Sequence, residues 1–193
     1  MTSISSLENF HKKGFFGDHE NKNENDLIKI KEIKNLLIVQ LVQYKNSSIV
    51  IKDIDGLSLS NEILKVISNN ETRILWTGPK SWILISTKKN LLKDINKIFN
   101  DSDFAITDLS HSRAIIELEG QFSKEVLKKG CPFNFNDLKK NNCVNSLFNG
   151  VSITIDMIEE NTNKIRIFAL RSFGESLYES ITDSCLEFGY KSL

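Results

Sequence analysis

Between Thr72 and Ser86 the chain reads TRILWTGPKSWILIS, two runs rich in β-branched and aromatic residues that meet at Gly78-Pro79. Glycine tolerates positive φ and proline fixes its own φ, so the stretch reads as a β-hairpin with Trp76 and Trp82 flanking its tip. Strands joined so closely must run antiparallel, because a parallel crossover needs about a dozen residues or more. The same short connections recur. FAITDLSH and RAIIELEG follow one another between residues 104 and 120, and CVNSLFNG, VSITIDMIE and NKIRIFALR fill 143–171.

Helical periodicity interrupts these strands singly. NLLKDINKIFN (90–100) places Leu91, Ile95, Ile98 and Phe99 on one face, with Asn90 as the expected N-cap. QFSKEVLKKG (121–130) turns Phe122, Val126 and Leu127 inward and stops at Gly130. In the last helix Ser172 and Glu175 form an S-x-x-E capping box, and Phe173, Leu177, Ile181, Cys185 and Phe188 make the apolar stripe. A short helix is expected over SNEILKVIS (60–68), carrying Ile63, Leu64 and Ile67. KIKEIKNLLIVQLVQYKN (29–46) reads as one strand ending at the turn-prone KNSS. With no sustained βαβ alternation, the expected class is α+β, with mostly antiparallel sheet and three main helices.

Residues 27–193 show no internal repeat and no second linker, and are expected to form a single α+β domain. Residues 1–26 read as an extended arm, since GDHENKNEND (17–26) has too little apolar surface to order itself. Phe10, Phe15 and Phe16 precede that stretch. Exposed phenylalanines on such an arm suit docking on a partner; folding back onto the chain's own core is the other reading.

Charge narrows the function classes. Lys and Arg number 25 and Asp and Glu number 25, interleaved along the chain, so no basic stripe offers itself to phosphates or to an anionic membrane surface. The longest apolar run, LLIVQLV (36–42), is far short of the roughly 20 residues that span a bilayer. The start, MTSISSLENFHKKGFFG, lacks the apolar centre of a secretory signal. Cys131, Cys143 and Cys185 form no CxxC pair, which disfavours a zinc site and suits free thiols in a reducing cytoplasm. The expectation is a cytoplasmic protein with neither nucleic-acid nor membrane partners.

The stretch DLSHSR (108–113) holds the residue types of a hydrolase triad. A triad, however, needs side chains converging from separate segments, and in an extended strand Ser110 and His111 diverge. There is no G-x-S-x-G elbow, no G-x-G-x-x-G and no Walker A loop. The better reading gives Asp108 and Ser110 the task of fixing a tight strand connection, with Arg113 paired to a nearby carboxylate. His11, His19 and His111 are too scattered for a metal site, and Cys131 follows a helix C-terminus, whose dipole disfavours a thiolate. Trp76 and Trp82 fit packing at the hairpin better than a pocket for a flat ligand.

Several stretches together resemble a known family. RILWTGPKSWILIS (73–86), TDLSHSRAIIELEG (107–120), VLKKGCPFNF (126–135) and FALRSFGESLYESI (168–181) are similar, in this order, to the gamma subunit of heterotetrameric sarcosine oxidase. The loop after Pro132 departs from the family pattern, reading FNFNDL where an Asp-Leu usually stands, and the Asn-rich arm departs from its compact N-terminus. The resemblance implies a fold like the folate-binding domain of glycine-cleavage T-protein. It implies a gamma chain without catalytic residues, in a complex with alpha, beta and delta subunits. Such a flavoenzyme heterotetramer oxidatively demethylates sarcosine or a related N-methyl amino acid and passes the one-carbon unit to tetrahydrofolate. FAD, FMN, NAD, tetrahydrofolate and zinc are then expected in the partner subunits and none in this chain. Phe10, Phe15, Phe16, Trp76, Trp82, Asp108, Ser110, His111 and Arg113 become structural or interface candidates. The alternative is a free-standing folate-binding or one-carbon-transfer protein, for which Asp108 and Asp156 are the candidate carboxylates.

Overall fold

The computed structural model describes residues 5–47 and 53–193. In chain order the strands are β1 (Gly14–Phe16), β2 (Ile28–Glu32), β3 (Leu37–Gln43), β4 (Val66–Ser68), β5 (Thr72–Gly78), β6 (Ser81–Ser86), β7 (Phe104–Asp108), β8 (Arg113–Glu119), β9 (Cys143–Phe148), β10 (Val151–Glu159), β11 (Lys164–Leu170) and β12 (Tyr190–Ser192). The helices are α1 (Leu91–Ile98), α2 (Ser123–Lys128) and α3 (Gly174–Cys185). The α+β class with mostly antiparallel strands is the one the sequence indicates.

The chain divides into two compact units where one domain was expected. The first runs through Lys34 and resumes over Ser112–Lys140 and Val144–Leu193; the second comprises Asn35–His111 and Asn141–Cys143. The division has a local cause in the run 29–46. It is not one strand: Asn35 turns at φ 61 and sends β2 and β3 into different sheets.

The first unit holds a seven-stranded sheet ordered β1-β12-β2-β8-β11-β10-β9. The pairs β1–β12, β2–β8, β8–β11 and β10–β11 are antiparallel, whereas β12 runs parallel to β2. Alternation along each strand puts Ile28 and Ile30, Ile116 and Leu118, Ile165 and Ile167, and Ile153 and Ile155 on one face, all of them buried. α3 lies against β8 and β11 and beside α2, burying Leu177, Ile181 and Cys185. Full burial of each such aliphatic side chain is worth roughly 1.5–3 kcal/mol, so this face holds the layers together. Lys129 ties the helices: its Nζ donates to the Ser184 carbonyl at 2.7 Å and pairs with Glu187 at 2.7 Å.

The helix ends differ from expectation. Ser172 and Glu175 form no capping box, because Arg171–Phe173 wind into a 3₁₀ turn and leave Phe173 rather than Ser172 at the N-cap position. Phe173 is therefore exposed instead of joining the apolar stripe. Asn90 has helical backbone angles and caps nothing with its side chain.

The arm is not a separate element. Within the described part, 5–26, β1 pairs with β12, Phe16 stacks on Tyr190 with ring centroids 5.1 Å apart, and Leu7 is fully buried. Ser5 Oγ donates to Glu32 Oε1 at 2.6 Å, and Asp18 N–H to the Leu186 carbonyl at 2.8 Å. Gly17 and Gly189, both at φ 70, allow this approach: a Cβ on either would stand 2.3 Å from the backbone oxygen of Leu186 or Asp18 respectively.

The second unit is a five-stranded sheet, β4-β5-β6-β3-β7, with every neighbouring pair antiparallel. Its core gathers Val39, Leu41, Ile74, Leu84 and Phe104 from the strands with Leu91, Ile95 and Phe99 from α1 and the residue following it. No helix forms over 60–68. Leu64 takes φ 63, Ile63 is 72% exposed, and the chain enters β4 instead, where pairing with β5 outweighs the weak local helical pattern.

Candidate functional site

DLSHSR leaves β7 at Asp108 and enters β8 at Arg113. Asp108 Oδ1 accepts both the amide of Ser110 at 2.9 Å and its hydroxyl at 2.6 Å. The same Ser110 oxygen accepts the Ile38 N–H at 3.0 Å, and the Leu109 N–H donates to the Ile38 carbonyl at 2.8 Å. The loop therefore prolongs the β3–β7 ladder, as the sequence reading of Asp108 and Ser110 requires. Partial burial works to raise the Asp108 pKa, but the Ser110 hydroxyl and amide outweigh it and hold the carboxyl below the usual range. His111 is exposed, and among the described residues it makes no hydrogen bond to Ser110. The hydroxyl proton of Ser110 goes to a carboxylate that is already occupied, which leaves no base to activate the oxygen.

Arg113 departs from expectation. Among the described residues no ion pair reaches it, and half-burial alone draws its pKa below the ordinary arginine value. The carboxylates of its own strand are engaged elsewhere. Glu117 accepts Arg166 Nε at 2.7 Å and lies 3.6 Å from Lys164 Nζ, and Glu119 pairs with Lys164 at 2.9 Å. Arg113 instead faces Leu170 across the β8–β11 ladder.

Trp76 and Trp82 sit opposite one another in the β5–β6 hairpin. Trp82 is 1% exposed, and its Nε1–H donates to the Ser60 carbonyl at 2.6 Å; Trp76 packs half-buried on the same core. This is packing rather than a ligand platform. Phe15 stacks beside His19 and under Lys191 Nζ, which lies 5.2 Å from the ring centre, while Phe10 is 36% exposed. Phe10, Phe16, Tyr178 and Tyr190 line one shallow groove.

The thiols are buried. Cys131 Sγ lies 3.1 Å from Ser146 Oγ, Cys143 Sγ donates to the Trp76 carbonyl at 3.1 Å, and burial pushes the Cys185 thiol up to about 12. No cluster of three or more His, Cys, Asp or Glu side chains that could hold a metal occurs among the described residues. No helix there is long and apolar enough to cross a membrane.

One constellation escaped the sequence reading. On the sheet face opposite the helices, Asp156 stands across from Arg166, Arg166 across from Glu117, and Glu117 across from Lys31. Asp156 is fully buried and Glu117 is 7% exposed. The signal was present as the alternations KIK in β2, ELE in β8 and KIR in β11, with charges at every second position. Asp156 is thus placed in a row of alternating charge.

No protein-family model matches the chain. A 79-residue stretch, 40% of this chain, is 30% identical to sarcosine oxidase subunit gamma of Corynebacterium sp. (strain P-1). That stretch spans only 39% of the curated relative's length. The fold superposes on a chain of the heterotetrameric sarcosine oxidase from Corynebacterium sp. U-96, in complex with pyrrole 2-carboxylate, with a TM-score of 0.79 at 21% identity. The match covers 86% of this chain and 87% of that one. Aminomethyltransferase T of the glycine cleavage system from Bartonella henselae matches with a TM-score of 0.58 at 13% identity, over 82% of this chain and 46% of that one. The likeness to the gamma subunit, read first from short stretches, is met by the sequence relative, and the T-protein fold by the structural match.

Proposed function

We propose that the chain is the gamma-type subunit of a sarcosine-oxidase-like heterotetramer, serving as structure and not as catalyst. The observation that carries this reading is the end-to-end fold likeness to a chain of such an enzyme, 86% of one chain against 87% of the other, on top of the 30% identical stretch. The arrangement of DLSHSR supports it, since its Asp, Ser and backbone groups are spent on one another. In this reading alpha, beta and delta subunits in the cytoplasm carry FAD, FMN, NAD, zinc and tetrahydrofolate. The assembly removes the methyl group of sarcosine or a related N-methyl amino acid by oxidation and passes the carbon to tetrahydrofolate.

A free-standing folate-binding protein is the second reading, favoured by the T-protein likeness. It needs a carboxylate presented to a pterin in a pocket. Asp156 is buried opposite Arg166, and Asp108 is bound by Ser110, so both named candidates are already engaged.

Co-expression with the neighbouring genes, purification through a tag on this chain, and the absorbance spectrum of the product decide between them. The expected result is a yellow four-chain assembly that oxidises sarcosine. A colourless single chain that binds folate would overturn the subunit reading.

A further inference from the structure

We infer that Arg113, Leu170 and Phe173 form the anchor at which a partner subunit docks, the partner offering a carboxylate to Arg113 and apolar side chains to the other two. The inference rests on the assembly reading above and names the surface that the assembly uses.

Arg113 opens β8 and Leu170 closes β11, and the register sets them opposite one another. Opposite residues of an antiparallel pair share a face, with Cβ atoms about 4.5–5.5 Å apart. Phe173 ends the 3₁₀ turn Arg171–Phe173, which follows Leu170 directly and lies against β8. Leu170 is 46% exposed and Phe173 47% exposed.

Two exposed apolar side chains alone mean little, since much of any protein surface is apolar. The arginine opposite Leu170 decides the matter. Its guanidinium is half-buried, and among the described residues it has neither hydrogen bond nor ion pair, while Glu117 and Glu119 on the same strand are both matched by cations. A desolvated, unpaired charge is unfavourable, and a partner that supplies the missing anion removes that cost at the moment of docking. The planar fork of N–H donors fits a carboxylate with two parallel bonds. An arginine together with exposed aromatic surface has the composition of interface centres, where a few side chains carry most of the affinity. A polyanion is a poor alternative occupant, because affinity for phosphates accrues over many cations and this chain has a net charge of zero.

The test uses the full chain assembled with its flavoprotein subunits. Arg113→Glu, Arg113→Lys, Leu170→Asp and Phe173→Asp are compared with Lys97→Glu, a change on the exposed face of α1, by affinity for the remaining subunits and by melting of the free chain. Leu170→Asp, Phe173→Asp and Arg113→Glu are each expected to weaken assembly about 10-fold or more, as interface centres do, with Arg113→Lys intermediate and Lys97→Glu neutral. If Arg113→Glu does not fold, the two exposed apolar positions decide. Normal assembly by folded Leu170→Asp and Phe173→Asp chains would overturn the anchor while leaving the subunit reading intact. A wild-type chain that retains no subunit at all would overturn the subunit reading, and the anchor with it.

Discussion

The hydroxyl of Ser110 accepts the backbone N–H of Ile38 at 3.0 Å, joining positions 72 residues apart in the chain. In Ser110→Ala that N–H loses its partner at a partly buried site, which costs about 1–2 kcal/mol. Urea unfolding of the full chain should show the loss, with Ser110→Thr restoring most of it. An assembled enzyme carrying Ser110→Ala should keep its turnover, because no step of the proposed role passes through this oxygen. Equal stability of the alanine variant would remove the structural explanation of DLSHSR.

Deleting residues 1–26 should destabilise the fold itself. The deletion removes β1, the buried Leu7 and the Ser5 bonds to Glu32. Gly17→Ala is the milder version: it forces a Cβ into the left-handed region beside the Leu186 oxygen and should cost at least about 1–2 kcal/mol. Hydrogen exchange at Tyr190–Ser192 is the readout, since those amides lie next to β1. Undiminished protection in the truncated chain would show that the segment is dispensable after all.

Asp55 gives the second unit a defined acid limit. The Lys88 ammonium donates to it at 2.8 Å, Thr72 Oγ1 at 2.6 Å and Asn69 Nδ2 at 3.1 Å, and together they lower its pKa from 3.8 to about 2. The unfolded chain takes up a proton near pH 3.8 that the folded one refuses until about 2. The stability contributed by Asp55 is therefore complete above that window and lost as pH falls through it. Asp55→Asn tolerates the positive φ at this position and should flatten the acid side of the stability profile. An unchanged slope between pH 4 and pH 2 would remove Asp55 as its source.

All three thiols should resist modification in the native chain. Cys131 is 5% exposed, Cys143 1% and Cys185 0%, and burial suppresses the reactive thiolate of Cys185. Titration with a disulfide reagent at pH 8 should release colour only on unfolding. Rapid reaction of even one thiol under native conditions would contradict the packing described.

The antiparallel character of the fold was legible because it rests on local signals: the Gly78-Pro79 turn, the alternating runs, and Leu91 with Ile95 one helical turn apart. The role of Asp108 and Ser110 was legible for the same reason, since the bonds between them span two residues. What failed was whatever depends on distant partners. Nothing near Asn35 announces that β2 and β3 belong to different sheets, and nothing in GDHENKNEND shows that Gly17 meets Leu186. Residues 60–68 were misread because an edge strand borrows its stability from β5, which local periodicity does not report. Arg113 was misjudged because the cations of β11 claim the carboxylates of β8 first.

The insertion of β12 between β1 and β2 sets an order of events during synthesis. β1 and β2 leave the ribosome before the other strands, yet in the sheet β12 stands between them and they must wait for Tyr190–Ser192 to fill that place. All five strands of the second sheet and α1 emerge while that place is still vacant. The nascent chain thus carries open β-edges at Gly14–Phe16 and Ile28–Glu32 until Tyr190–Ser192 has emerged, which is when a chaperone has the most to protect.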